Sequence, residues 1–455
     1  MTGKARQELS AVARASGPLC AVYAADIGMY LVDMAVVGRL GLTELAGVAV
    51  AEQLIFLVIA LLGAISSIIV VLISRAVGDG NLDRAIRLLQ QGMLISIVLG
   101  VTGMIFVWNV DAIFRALGYN SDVVGHAKSY ARAVVWCVVP YLLFLLLRGF
   151  LVAVDSSISV MPTVLAAVVA NIPISYVMTF GCFGIAGLGV SGAGFSTSIV
   201  SLLMAGSLLR LVQRRSFGSS RMVRVFKLEI DGETWLRVLR KGVPAALSTL
   251  LEDGMFVVAG MISGIFGGAA LVAHYLANSV VNVAMVFANG IGDAVSIRVA
   301  FHGARGDTSM IRVVGKCGMT LACVAISVMS VLMLLKPATL AGAFVSEENL
   351  RSEEIMVLLV PVFATAAICQ IFEGLQVVAM RGLRGLEDTF VPMCFALCGY
   401  WLIALPLALG FAHGAGWGVQ GVWLGLTCGL AVTALALVLR FRVLTKGRGS
   451  SASDE

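Results

Sequence analysis

LIFLVIALLGAISSIIVVLI, residues 54–73, runs for 20 positions without a charged side chain or a proline. A helix rises about 1.5 Å per residue, so some 20 apolar residues in helical form cross the roughly 30 Å hydrocarbon core of a bilayer. Working outward from this stretch, comparable segments recur near 17–38, 46–73, 92–108, 131–153, 160–180, 188–211, 244–266, 271–297, 317–335, 355–379, 390–411 and 417–439. Of the 455 residues, 59% are hydrophobic and 13% charged, more apolar side chain than a soluble core can hide. The chain therefore reads as an all-α membrane protein of twelve transmembrane helices, with no segment left over for a soluble domain.

Charge placement tests that topology independently. With both termini on the cytoplasmic side of a bacterial inner membrane, all but six of the 32 Lys and Arg residues fall in inside segments, the exceptions being Arg39, Arg115, Lys128, Arg132, Lys336 and Arg351. That asymmetry follows the positive-inside rule. The basic stretch before the first span (Lys4, Arg6, Arg14) has no small-residue cleavage site behind it, so it is expected to lead into a retained helix. The longest polar stretch, 212–243, carries Arg214, Arg215, Arg221, Arg224, Lys227, Arg237, Arg240 and Lys241 against Glu229, Asp231 and Glu233. It reads as a linker. A net charge of +6 bordering apolar spans is explained by orientation and anionic lipid, and no nucleic-acid role is expected. The nine cysteines lie in apolar segments and form no C-x-x-C pair, so they are expected to be small buried hydrophobes.

The chain repeats itself. A shift of 226 residues lays Asp26 on Glu252, Gly41 on Gly267 and Gln91-Gly92-Met93 on Cys317-Gly318-Met319. A shift of 233 pairs Arg148-Gly149 with Arg381-Gly382 and Asp155 with Asp388, and Gly187-x-Gly189-Val190-x-Gly192 matches Gly416-x-Gly418-Val419-x-Gly421. The ordered matches divide the chain into an N-terminal six-helix lobe (1–211), the cytoplasmic linker (212–243), a C-terminal six-helix lobe (244–441) and a cytoplasmic tail (442–455). Six spans is an even number, so both repeats run the same way through the membrane. Such pseudo-symmetric lobes surround a central cavity in alternating-access carriers.

Acids inside spans carry the functional signal. A charge near the bilayer centre costs at least about 2.5–3.5 kcal/mol on insertion scales, so Asp26, Asp33, Glu52, Glu252, Asp253, Asp293 and Glu373 each need a cavity, a partner or a span end. Span ends are an equal alternative for Glu52, Asp253 and Asp293. Asp33 and Glu373 sit among apolar neighbours and point to function. Carboxylates in a low-dielectric wall can exchange a proton, and two sharing a site can hold a bare cation. No lysine lies deep in a span and the nearest arginines are at helix ends, so a cationic substrate or coupling ion is expected to supply the counter-charge. The four histidines, His126, His274, His302 and His413, join no nucleophile, phosphate loop or metal spacing, so no enzymatic activity and no cofactor are expected.

Particular stretches resemble a known family. Val32-Asp33-Met34-Ala35-Val36-Val37-Gly38 with Glu44-Leu45-Ala46-Gly47-Val48 is similar to the first-helix region of multidrug and toxic compound extrusion (MATE) transporters. So are Lys241-Gly242-Val243-Pro244 leading to Glu252, Ala273-His274, Ala294-Val295-Ser296-Ile297-Arg298-Val299, Leu383-Arg384-Gly385-Leu386-Glu387-Asp388-Thr389 and Ala170-Asn171-Ile172-Pro173. The order and extent resemble the NorM-like bacterial branch. That resemblance implies proton or cation coupling at Asp33, with Asn171 as its polar neighbour, and a cation site, possible Na+, at Glu252 and Glu373. It also marks departures. Glu373 stands where aspartate is usual, Cys369 where some members have tyrosine, Tyr275 where glutamine follows histidine, and Asp26 and Asp293 where neutral residues are usual. The eighth helix lacks the family's proline. Asp26, Asn171, Tyr275, Asn278 and Asp293 complete the polar candidates for the cavity.

The expected function is antiport: export of small amphipathic, cationic organic compounds in exchange for Na+ or H+, by a monomer in lipid. The rival is a flippase for lipid-linked saccharides of the same superfamily fold. A flippase would want a basic cavity to hold phosphates, whereas this chain offers mid-span acids. A membrane scaffold would need no buried carboxylates in paired lobes.

Overall fold

The computed structural model describes residues 3–116, 118–155, 157–182, 184–214, 230–342 and 353–446. Residues 215–229 of the basic linker, Arg351 and 447–455 of the tail lie outside the described residues. Among the described residues, twelve helices are long and apolar enough to cross a membrane. We label them α1 (Gly3–Val37), α2 (Leu42–Gly78), α3 (Leu82–Trp108), α4 (Ser121–Ala153), α5 (Met161–Phe180), α6 (Val190–Arg214), α7 (Gly232–Ile265), α8 (Gly268–Ala304), α9 (Thr308–Leu335), α10 (Ile355–Gly385), α11 (Phe390–Gly414) and α12 (Gly418–Lys446). A short antiparallel pair, β1 (Gly181–Cys182) and β2 (Ile185–Ala186), closes the turn between α5 and α6. Several helices run past the apolar stretches that announced them. α7 begins at Gly232, which makes Glu233–Val243 of the basic linker helical.

The internal repeat is visible in backbone conformation. Both bounds of α2, 42 and 78, recur 226 positions later in α8, at 268 and 304. The turns that follow match as well: Gly80 has φ +74° and Gly306 φ +70°, the left-handed region that glycine enters without Cβ strain. The next residues cap the following helices. Asn81 accepts a hydrogen bond from the Arg84 backbone N–H (2.9 Å), and Asp307 accepts one from Met310 N–H (3.0 Å).

Asp307 also accepts from the Ser309 hydroxyl (2.7 Å), and that bond, followed by the Met310 N–H, holds its carboxyl below the usual carboxylate range. The cap therefore stabilises α9 fully above the usual carboxylate pKa and is lost as pH falls through the lowered value. Asp307→Ala should cost about 1 kcal/mol at neutral pH. Thermal unfolding of the purified protein at neutral and strongly acidic pH checks this, with the difference from wild type expected only at the former.

Contacts divide the chain into two units. One is Ala21–Ala246; the other joins Met1–Cys20 to Leu247–Glu455. The division cuts through α1 and α7, and each of these helices carries a proline two residues before the cut, Pro18 and Pro244. In the first unit, Val37, Val48, Ile55, Tyr130, Cys137 and Leu142 form an apolar core between α1, α2 and α4. In the second, Val12 of α1 joins Met255, Ala288, Ile326, Phe363 and Trp423.

Within the second unit α11 and α12 meet backbone to backbone. Gly421, Gly425 and Gly429 recur every fourth residue on one face of α12, and a Cβ on Gly425 would overlap the backbone of Ala408. Small residues at this spacing let helices approach closely where no hydrophobic force drives them together. α11 itself widens into a π-helical stretch over Leu397–Ala404. Such local widening re-aims side chains, and here it carries Tyr400 and Trp401.

Candidate carboxylate sites

In the first unit the carboxylate of Asp33 is buried on α1 and accepts two hydroxyl bonds, from Ser175 of α5 (2.9 Å) and Thr197 of α6 (2.6 Å). Asn171, fully buried one turn before Ser175, lies beside the same carboxylate. Glu52 of α2 accepts a 2.5 Å bond from the hydroxyl of Tyr130 on α4, and its carboxylate is within electrostatic reach of Asp33. Glu52 lies ten residues inside α2, which begins at Leu42. Asp26, two turns before Asp33, accepts from the Tyr141 hydroxyl (2.7 Å) and feels the charge of Arg148, whose guanidinium lies 5.4 Å from the Tyr23 ring centre.

In the second unit Glu252 of α7 accepts a 2.6 Å bond from the Gln376 side-chain amide of α10. The amide oxygen of Gln376 in turn accepts the Tyr400 hydroxyl, delivered by the π-helical stretch of α11. Trp401 fastens α11 to α7 by donating to the Leu251 carbonyl (3.1 Å). Glu373 lies one turn before Gln376 on α10, buried, and its charge acts on those of Glu252 and Asp253. One Glu373 oxygen, Oε2, has no hydrogen-bond partner among the described residues. Cys369, one turn earlier still, is also buried.

Asp293 requires a correction. The sequence reading gave it an uncompensated negative charge at the cavity or at a span end, but the structure pairs it with Arg381 of α10. The guanidinium also donates to the Asn289 carbonyl (2.7 Å) and the Asn289 side-chain oxygen. Near the end of α10 an arginine side chain is long enough to reach back into the helix packing, which its sequence position does not reveal. Arg381 and Arg384 add positive potential at Glu252. Tyr275 is exposed and Asn278 half-buried, and no hydrogen bond among the described residues joins either to the Glu252–Glu373 pair. His274 packs its ring against Trp423, centroids 5.5 Å apart, and its Nδ1 has no hydrogen-bond partner among the described residues. Among the described residues no three His, Cys, Asp or Glu side chains converge to hold a metal ion.

Gln376, Tyr400, Ser175, Thr197 and Arg381 are site residues that the sequence reading did not single out. Gln376 carried a signal, being polar at helical spacing from Glu373.

The MatE family model matches residues 18–177 and 244–409, one segment in each repeat. The chain belongs to the MATE family of multidrug efflux transporters. A relative from Bradyrhizobium diazoefficiens, named probable multidrug resistance protein NorM, is 31% identical over 95% of this chain and 93% of its own length. The protein of that name from Pseudomonas aeruginosa is 30% identical over 100% and 94%. Two solved structures share the fold. An outward-facing multidrug resistance MATE family transporter of the MOP superfamily superposes with a TM-score of 0.87 at 19% identity, covering 97% of this chain and 96% of that one. A eukaryotic MATE transporter, AtDTX14, gives 0.85 at 18%, covering 98% and 99%. MATE proteins are transporters, not enzymes, and this chain is a multi-pass membrane protein of their NorM branch.

Proposed function

We propose that this MATE protein is a secondary active antiporter that exports amphipathic, cationic organic compounds in exchange for Na+ or H+. It would act as a monomer in the bacterial inner membrane, with both termini cytoplasmic and no cofactor beyond the coupling ion. The observation that carries this reading is the Glu252–Gln376–Tyr400 chain with Glu373 beside it. Two carboxyl groups held together away from water need a positive charge between them, and Glu373 Oε2 offers an oxygen that no donor among the described residues occupies. Asp33 is the coupling acid of the other unit, where Ser175 and Thr197 fix its orientation. Multidrug relatives support the substrate class, because the mid-span acids suit cations and would repel the phosphates a flippase must hold.

A pump-deficient bacterial host expressing the chain should survive toxic organic cations that kill the vector control. In proteoliposomes, sodium and pH gradients imposed separately should identify the driving ion by the one that supports uphill movement of a fluorescent cation. Equal growth of both strains on every compound, together with no response to either gradient, would overturn the proposal.

A further inference from the structure

We propose that the groove between α9 and α12 binds one anionic phospholipid of the surrounding bilayer, its phosphate held by Lys316, Arg442 and Lys446 and its acyl chains laid along the exposed apolar faces of the two helices. The inference goes beyond antiport and does not depend on it.

Charge balance singles out this pair of helices. α9 (Thr308–Leu335) and α12 (Gly418–Lys446) contain no aspartate or glutamate. Their five basic residues, Arg312, Lys316, Arg440, Arg442 and Lys446, all lie toward one end of the pair, where α9 starts and α12 finishes. Arg440 is balanced by Asp388, 2.9 Å away. Arg312 donates from Nε and from Nη2 to the Thr445 carbonyl (2.9 and 2.6 Å). That bond satisfies an end carbonyl of α12 and offsets the negative end of its dipole, which would otherwise repel an anion. Lys316, Arg442 and Lys446 are exposed, and no carboxylate among the described residues pairs with them within 4.0 Å.

Packing sets these groups side by side. Gly315 of α9 lies against the ring of Phe441, and a Cβ there would overlap that ring. The helices therefore meet closely at the two residues that immediately precede Lys316 and Arg442. Lys316 is one turn beyond Arg312, and Lys446 one turn beyond Arg442.

Two stripes lead away from the cluster along the spans. On α9, Thr320, Val324 and Val328 follow Lys316 at four-residue spacing; on α12, Val443, Leu439, Leu435 and Val432 precede Lys446 at three- and four-residue spacing, and all seven are exposed. Apolar side chains exposed along a membrane span lie against acyl chains. From Lys316 to Leu335 a helix rises about 29 Å, close to the thickness of the hydrocarbon core. Lys316 thus stands at the boundary of the core, where long basic side chains carry their charge out to the level of the phosphates. In the topology proposed above this is the cytoplasmic leaflet. Each lysine or arginine near the surface strengthens attraction to anionic lipid roughly fivefold.

The test is lipid retention by the full chain in phosphatidylcholine nanodiscs carrying increasing fractions of phosphatidylglycerol, read by native mass spectrometry, with thermal unfolding measured in parallel. Wild type should retain one phosphatidylglycerol in preference to phosphatidylcholine and unfold at a higher temperature with it. Lys316→Gln and Arg442→Gln should each weaken retention roughly fivefold and together roughly twenty-five-fold, with the unfolding midpoint in pure phosphatidylcholine unchanged. Lys316→Arg keeps the charge and should retain the lipid as wild type does. Arg87→Gln removes an exposed arginine from α3 in the other unit and should leave retention unaltered; a loss equal to that of Lys316→Gln would show that lipid follows total charge, and would overturn the site. Undiminished retention by the double variant, or stabilisation by inorganic phosphate equal to that by the lipid, would overturn it as well. None of these readouts involves transport, so they stand apart from the fate of the antiport reading.

Discussion

Glu373→Gln and Glu252→Gln should each lower cation-coupled efflux at least about tenfold, and combining them should cost little more than either alone, as expected of groups that act as one unit. The reason is geometric. Gln376 bonds Glu252 directly and sits one helical turn from Glu373, so the two acids belong to one hydrogen-bonded and electrostatic cluster contributed by α7, α10 and α11. Either amide keeps the shape but removes half of the negative charge that would hold the exchanged cation. Efflux of a fluorescent organic cation from proteoliposomes, normalised to inserted protein, reads both single variants and the pair. Losses that multiply, the double variant falling by the product of the single effects, would mean two independent sites and would sink the shared-site model.

Asp293→Ala should destabilise the protein by on the order of 2–3 kcal/mol, somewhat less than the 3–5 kcal/mol of a fully buried pair broken on one side, since both groups retain some solvent contact. The penalty arises from the Arg381 guanidinium, which would keep its bonds to Asn289 but lose the carboxylate it is directly paired with next to packed helices. Removing both charges together, Asp293→Leu with Arg381→Met, should restore stability close to that of wild type, because an apolar pair of similar volume needs no desolvation of ions. Thermal unfolding in detergent of the two single variants and the double checks this cycle. Full stability of Asp293→Ala alone would show that the pair contributes nothing, and that Asn289 suffices for Arg381.

The same two residues mark the limit of what was legible in the sequence. Span count and repeat could be read directly, because apolar runs of membrane length and glycines at matched positions are local signals, and Gly80 and Gly306 repeat a conformation as well as a letter. Asp33, Glu252 and Glu373 could be picked out by type, as charges where lipid forbids them unexplained. Pairing was not legible. Arg381 lies close enough to the end of its span to pass for a residue facing headgroups, and only the packing of α8 against α10 brings it onto Asp293. Tyr400 was hidden for another reason: a π-helical stretch departs from the 3.6-residue period on which any reading of helix faces rests. The sequence leaves Glu52 evenly between a span end and a partnered site, because it stands near the start of an apolar run; the helix itself begins ten residues earlier.

The first turns of α1 bring a consequence for biosynthesis. Glu8 accepts two 2.7 Å bonds from Arg298 and lies 3.2 Å from His302, and Val12 is buried in the apolar core of the unit that Leu247–Glu455 completes. The partners are 290 residues apart in the chain. At a synthesis rate of about 5–20 residues per second, the ribosome would deliver Arg298 roughly 15–60 s after Glu8. During that interval the remainder of α1 and α2–α6 can assemble as a unit, while the leading segment of α1 waits with a carboxylate and an apolar face uncovered. Closing that contact joins the leading turns of α1 to helices made 290 residues later, so residues translated well before α2–α6 reach their final surroundings after them.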